Sequence, residues 1–314
     1  MSGMIIACEQ EAAMQEKLKK YKIQEGKKHI SLKDYPTDAG PGRPKKELKK
    51  EILEPNMQEL RVLQEKLYAE DKQGLLICLQ AMDAAGKDSA IEHVLSGINP
   101  QGCVVTPFKQ PSIEELDHDY LWRIHKAVPA RGMIGIFNRS HYEEVLVARV
   151  HDLPEKQPIP DKLVDEEIWE RRFEQINNFE KYLAENGIRC IKFFLHLSRE
   201  EQRDRFLRRI DRPEKNWKFS PSDLAERKLW DQYMAVYEDM LAKTSTKVAP
   251  WYIIPADKKW VARYLISEII IETLQDMNPQ YPELSPESKA RLAEYRELLL
   301  KEEGLNEAEN EDED

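Results

Sequence analysis

Five short apolar runs rich in β-branched residues, at 75–79, 103–107, 133–137, 188–197 and 251–254, are each the length of a buried strand. The stretches between them are long enough for helices, and that alternation predicts βαβ units and one parallel sheet in an α/β fold. Helix starts are marked by Ser112 with Glu115 and by Ser198 with Glu201, both fitting the S-x-x-E capping box. Ile168, Arg172, Ile176, Phe179 and Leu183 recur at three- and four-residue steps, as on a helix packed against a sheet. Ligands of such sheets sit at the carboxyl ends of the strands.

A chain of 314 residues suffices for one sizeable core. Residues 1–50 read as a polar arm laid over that core, 51–277 as the catalytic domain, 278–303 as a helical extension and 304–314 as an acidic, disordered tail. Within the domain, 51–70 reads as a helix. Cys8, Cys78, Cys103 and Cys190 lack the spacing of a zinc site or a disulfide framework. No apolar run approaches the roughly 18 residues of a membrane span, so a cytoplasmic protein with no membrane partner is expected. The net charge of −10 argues against a nucleic-acid partner. Most of it lies in 301–314, where eight acids face Lys301 alone, whereas 203–228 holds nine bases against five acids. A local polyanion site is therefore compatible with an acidic chain.

The run at 75–79 leads into Gln80-Ala81-Met82-Asp83-Ala84-Ala85-Gly86-Lys87-Asp88-Ser89, followed by a helix expected over 88–98. Strand, small-residue loop, Lys and helix is the order of a phosphate loop, in which backbone N–H groups and a helix N-terminus converge on phosphate oxygens. Ala84, Ala85, Gly86, Asp88 and Ser89 are the expected cradle, with Lys87 as a mobile charge. The match to G-x-x-x-x-G-K-[ST] is incomplete, because Ala81 replaces the first Gly and Asp88 the Ser/Thr. A tight strand-to-helix turn with a solvated Lys87 would read similarly. Asp83 decides between them: a carboxylate among phosphates needs a cation between, so Asp83 is the expected ligand of Mg²⁺, with Mn²⁺ as a substitute.

The run at 133–137 ends in Asn138-Arg139-Ser140-His141-Tyr142-Glu143. Arg139 can hold phosphate bidentately, while Asn138 can only hydrogen-bond, and Asn138 or Ser140 also suits a helix N-cap. Lys109, just past the 103–107 run, is either a second phosphate contact or a solvated lysine. Arg205, Arg208, Arg209 and Arg212 form a guanidinium stripe at helical spacing, fit for neutralising transferred charge. Glu200, Glu201 and Asp204 leave open an ion-paired, solvated helix.

Together, 80–89, 137–143 and 203–223 resemble the polyphosphate kinase 2 family, over roughly residues 30–275. Asp83, Gly86 and Lys87 match a family loop of the form G-x-D-x-x-G-K, from which Ala81 departs, and Phe137, Asn138, Arg139, Ser140 and Tyr142 match F-[DN]-R-S-x-Y. The resemblance implies a three-layer P-loop kinase-like fold, a parallel five-stranded sheet flanked by helices, with a helical lid at about 203–228. It implies catalytic roles for Asp83, Lys87, Arg139 and Asn138. Phosphate or polyphosphate binding falls to the loop residues, Lys109, Arg205, Arg208, Arg209 and Lys218, and nucleotide binding to Tyr142 and Glu143. The form with Asn138 is similar to the class III branch, which implies phosphoryl transfer from inorganic polyphosphate to AMP and ADP, giving ADP and ATP, in a reversible reaction. A homodimer or homotetramer is expected. The competing expectations are an ATP-dependent nucleoside monophosphate kinase and a non-catalytic nucleotide- or polyanion-binding module. A terminal phosphate oxygen is already ionised at neutral pH, so this chemistry requires positioning and charge neutralisation more than a general base. The segment 249–263 also resembles the family and reads as a structural strand, turn and helix.

Overall fold

The computed structural model describes residues 18–38 and 54–303. Its strands are β1 (Gly74–Ala81), β2 (Cys103–Pro107), β3 (Ile134–Asn138), β4 (Ile188–His196) and β5 (Trp251–Pro255). They form one parallel sheet in the order β2, β3, β1, β4, β5. The longer helices are α1 (Glu54–Glu70), α2 (Lys87–Val94), α3 (Ile168–Glu185), α4 (Arg199–Ile210), α5 (Pro221–Lys228), α6 (Trp230–Thr244), α7 (Lys259–Met277) and α8 (Pro286–Glu303). Two compact units result, Met1–Pro279 and Gln280–Asp314, the second built on α8. Cys8, the tail 304–314 and most of the 1–50 segment lie outside the described residues. No described helix is long and apolar enough to cross a membrane.

Every residue of β1 is buried, as expected where helices cover both faces of a parallel sheet. Its side chains alternate between the two faces. Leu75, Ile77 and Leu79 join Ile191, Phe193 and Leu195 of β4 against α1, α2 and α7. On the other face Leu76 and Cys78 pack with Cys190 and with Phe179 and Leu183 of α3. Phe194 and Trp251 meet Phe173, Ile176, Tyr237 and Met240 of α3 and α6. Three layers follow from this period-two pattern.

Three local expectations need correction. The helix expected over 88–98 ends at Val94, with Leu95 as C-cap and Gly97 at φ 103° breaking its continuation. At Ser198 only half of the capping box forms: Ser198 Oγ accepts from Glu201 N, but the Ser198 N–H donates to Asp257 Oδ1 at 2.8 Å. Glu201 turns instead to Arg205 and Arg208. Third, the segment 18–38 is not merely laid over the core. Leu18, Tyr21, Ile23, Ile30 and Leu32 are buried in it, and Lys22 makes an antiparallel bridge to Tyr252 that covers the outer edge of β5. The same segment reaches the carboxyl edge of the sheet, where Thr37 Oγ1 donates to Asp257 Oδ2 at 2.6 Å.

Beneath that edge lies an ion pair with no solvent contact. Lys192 Nζ of β4 uses all three donors, to Glu180 Oε2 at 2.6 Å, Tyr142 Oη at 2.7 Å and the Thr244 carbonyl at 2.7 Å. Glu180 Oε1 accepts from Tyr142 Oη at 2.8 Å and lies 3.2 Å from His141 Nε2. The network thereby pins the turn after β3 to α3 and β4. Burial opposes the Glu180 charge, but Lys192 and His141 outweigh it and hold the carboxyl below its ordinary 4.5. A carboxylate depressed in the folded state stabilises it fully above the unfolded value and loses that contribution as pH falls through the lower folded value. Replacing Lys192 with Met strands the Glu180 charge and should cost about 3–5 kcal/mol in urea unfolding at neutral pH. Glu180→Gln should flatten the acid limb of stability below about pH 4.5. A Lys192→Met cost within about 0.5 kcal/mol of zero would mean the pair does not hold the turn.

Candidate active site

The carboxyl ends of β1 and β3 open into a cleft of about 990 Å³. The segment after β1 turns sharply because Ala84 and Gly86 both adopt positive φ, 62° and 106°. Gly86 then serves as the N-cap of α2, so Lys87 and Asp88 begin the helix at the cleft. Ala81 is the last residue of β1, paired with Leu195, and is not among the residues with positive φ. The glycine absent at that position is therefore not needed for the turn.

Lys87 Nζ donates to the Ala81 carbonyl at 3.0 Å across the loop. Burial, and next the nearby Arg139 charge, push the Lys87 ammonium below its ordinary 10.5, although Asp83, Glu143 and Asp88 pull the other way. On the neighbouring strand Arg139 also has positive φ, 62°, and its N–H donates to the Leu79 carbonyl at 3.1 Å. Its guanidinium bridges Asp83 Oδ1 at 2.9 Å and Glu143 Oε2 at 3.1 Å. Burial works against its charge, but Glu143 and Asp83 overcome that and raise its pKa. Asn138 Nδ2 donates to Asp88 Oδ1 at 2.6 Å, so the two strand ends are also tied through α2. Ser140 caps the next turn, accepting from Tyr142 N at 3.3 Å and from Gln80 Nε2 at 3.1 Å.

The cleft is also lined by a cluster of cations, Arg205, Arg208, Arg209, Arg212, Lys215 and Lys218. Arg208 pairs with Glu201 at 2.5 Å, and Arg209 donates to the Lys218 carbonyl at 3.0 Å. Lys109 lines a further part of the wall, its carbonyl accepting from Arg123 Nη2 at 2.8 Å. Ser89 lies at the start of α2, where its hydroxyl accepts from Arg263 Nη2 at 2.7 Å.

Two of the expected ligand contacts have their polar groups engaged by the protein, Tyr142 behind the cleft and Arg205 at its lining. Tyr142 is fully buried, with its hydroxyl committed to Glu180 and Lys192 and its ring edge-on to Trp251 at 4.8 Å. It supports the site from behind rather than facing a nucleotide. Arg205 is 4 % exposed and gives its guanidinium to Glu201 and to the carbonyls of Ala84, Ala85, Ala256 and Asp257. The stripe thus divides by commitment rather than by place: all four arginines line the cleft, but Arg205 is buried with its donors on protein acceptors, whereas Arg208 is half-exposed.

Sequence reasoning assigned the segment containing Lys259 to structure alone, yet this first residue of α7 lines the cleft. Burial lowers its pKa, and Arg205, Arg263, Arg208 and Lys215 lower it further, the mark of a positive surplus. Arg123 and the cleft-lining Glu144 and His151 were likewise not anticipated. A lone Arg at 123, far from any motif, carries no sequence signal for this position.

No group of three or more His, Cys, Asp or Glu that could hold a metal by protein ligands alone occurs among the described residues. Asp83 offers a single hard oxygen ligand on the cleft wall, partly exposed. That donor set suits Mg²⁺, which commonly takes one or two carboxylates and completes its shell with water and phosphate. Chemically, the cleft combines a strand-to-helix loop, the Asp83 carboxylate and a surplus of cations, a place suited to polyanions.

The family model for polyphosphate kinase 2 matches residues 43–282. An ADP-polyphosphate phosphotransferase of Rhodopseudomonas palustris is 49 % identical over 290 residues, 92 % of this chain and 100 % of that protein. An AMP/ADP-polyphosphate phosphotransferase of Meiothermus ruber is 45 % identical, over 85 % of this chain and 96 % of its own length. The crystal structure of polyphosphate kinase 2 from Arthrobacter aurescens TC1 superposes with a TM-score of 0.78 at 40 % identity, covering 87 % of this chain and 95 % of that one. The chain belongs to the polyphosphate kinase 2 family.

Proposed function

We propose that this protein transfers a phosphoryl group from inorganic polyphosphate to AMP and ADP, giving ADP and ATP, as in the class III branch of its family. The observation that supports this most directly is the gathering of cations in one cleft. Lys87 of the phosphate loop shares it with Arg208, Arg209, Arg212, Lys215 and Lys218, positive charge enough for two phosphate chains. The names of the Meiothermus and Rhodopseudomonas relatives support polyphosphate as donor and adenosine nucleotides as acceptors.

In this reading Lys87 and the N-terminus of α2 hold one phosphate chain. The lid cations and Lys109 hold the other and spread the charge that develops on the transferring group. Arg139, fixed between Asp83 and Glu143, presents its remaining donor surface to the reacting phosphates. Asn138 orients Asp88 rather than acting as a base. The attacking oxygen is already ionised, so positioning carries the step. Asp83 would hold Mg²⁺, which when bound offsets the repulsion between the two phosphate chains. The exchange of one phosphoanhydride for another is reversible.

The proposal includes a cytoplasmic location, where these nucleotides are substrates, and a homodimer or homotetramer. Exposed Val104 and Val105 on the edge strand β2 support self-association.

The purified protein incubated with Mg²⁺, AMP and polyphosphate, with ATP absent, should form ADP and then ATP by anion-exchange chromatography. Folded protein that forms neither would exclude this reading in favour of an ATP-dependent kinase or a binding module. Asp83→Asn should raise the Mg²⁺ concentration for half-maximal rate about tenfold or more; an unchanged Mg²⁺ dependence would remove Asp83 as the ligand. Because Lys87 titrates below 10.5, kcat/KM for polyphosphate should fall on an alkaline limb with an apparent pKa under that value. The phosphates are fully ionised there, so Lys87→Arg, which stays charged, should abolish the limb; a limb that persists would assign it to another group.

A further inference from the structure

The phosphate loop leaves no carbonyl from Ala81 to Ala85 without a partner. Ala81 O accepts from Lys87 Nζ and Met82 O from Ala85 N at 3.2 Å. The remaining three carbonyls are taken by one helix, α4. Gln202 Nε2 donates to Asp83 O at 3.0 Å, and Arg205 Nη1 donates to Ala84 O at 3.0 Å and Ala85 O at 2.6 Å.

A guanidinium has five N–H donors. Arg205 uses Nε on Glu201 Oε1 at 2.9 Å, both Nη1 donors on the loop, and Nη2 on Ala256 O at 2.6 Å and Asp257 O at 3.1 Å. Nothing is left for a phosphate. Gln202, 1 % exposed, is equally committed, because its Oε1 accepts from Arg227 Nη1 of α5 at 2.7 Å. The helix that opens the lid segment therefore grips the loop on one side and the lid helix α5 on the other.

We propose that Gln202 and Arg205 are positioning residues for phosphoryl transfer, which turn the loop carbonyls away from the cleft and hold Ala84 in its left-handed conformation. With these carbonyls held by α4, the turn keeps the shape in which the Ala85 N–H closes onto Met82 O and Lys87 stays over the loop. Arg227 links that loop shape to the placement of α5. This rests on the phosphoryl-transfer reading, and it separates Arg205 from Arg208, which faces the cleft.

The test is steady-state kinetics with AMP and polyphosphate for Arg205→Lys, Gln202→Met and Arg208→Ala, with Arg205→Lys repeated in an Ala84→Gly background. Wild-type turnover with polyphosphate examines the parent reading, and the behaviour of the variants examines this one. Arg205→Lys and Gln202→Met should lower kcat about tenfold or more with KM for polyphosphate within about twofold, the pattern of an interaction that matters in the transition state. Arg208→Ala should instead raise that KM, increasingly so at higher salt. Glycine adopts positive φ without strain, so Ala84→Gly should restore several-fold of the kcat lost in Arg205→Lys. If Arg205→Lys does not fold, as judged by its thermal melt, Gln202→Met keeps the Arg205 contacts and decides the matter. A raised KM with kcat retained in Gln202→Met or Arg205→Lys, or no recovery from Ala84→Gly, would overturn the proposal.

Discussion

A loop that offers its amide hydrogens to phosphate must send its carbonyl oxygens somewhere else, and each buried carbonyl left unpaired costs about 1–3 kcal/mol. Much of the architecture around the cleft serves that requirement. Gln202 and Arg205 come from the first two turns of α4, and α4 starts where Ser198 caps it and Asp257 takes the Ser198 N–H. Asp257 in turn is held by Thr37 from the N-terminal segment, which donates its hydroxyl and accepts the Asp257 N–H at 3.0 Å. Residues 220 positions apart thus fix the same corner of the sheet. The left-handed conformation of Ala84, costly by roughly 1–2 kcal/mol for a residue with a Cβ, persists because its neighbours over-determine it.

Electrostatics then decides what can occupy the space this geometry creates. A net charge of −10 says nothing about the cleft, where Lys259 is held below its ordinary pKa by burial and by four surrounding cations. Such a cluster is unfavourable without an anion, and part of that repulsion is relieved when phosphate arrives. Arg139 is the counterpoint, its charge secured by Glu143 and Asp83 against the opposing effect of partial burial. Both patterns occur in one cleft, with the surplus where α4 and α7 begin and the balanced charge at the strand ends.

The fold was legible because its signal is local. Apolar runs of strand length stand in the sequence at the positions of all five strands, and the loop after β1 announces itself through Gly86-Lys87. Ala81 looked like a defect only because the motif counts glycines, whereas the turn needs positive φ at 84 and 86. What the sequence could not convey was direction. Tyr142 and Arg205 stand inside motifs beside residues that do face the cleft, yet one points into the Lys192–Glu180 network and the other onto backbone carbonyls. A single residue's step along a turn or helix rotates a side chain to another face, and carbonyl acceptors leave no mark in a sequence. Lys259 was hidden for the complementary reason: its role comes from β5 returning α7 to the same edge, a consequence of topology.

The buried Lys192–Glu180 pair shows how the second strand end meets the same demand as the first by different means. Arg139, like Ala84, is a left-handed residue at the end of a parallel strand, and Asn138 lies opposite Leu79 in the register. Two helices touch its turn from the sides, Asn138 donating to Asp88 of α2 and Arg172 Nη1 of α3 donating to the Glu144 carbonyl at 2.6 Å. The turn is further anchored from beneath, through His141 and Tyr142 to Glu180 and Lys192. Desolvating two charges is costly, and an apolar pair of the same volume would often be no less stable. What an apolar pair could not supply is direction: three donors on Lys192 and two acceptor oxygens on Glu180 fix where Tyr142 sits, and with it the path of the backbone from Asn138 to Glu143. The charge beneath the sheet is in this sense the counterpart of Arg205 above it, each spending a full set of hydrogen bonds to hold a backbone that L-residues rarely adopt.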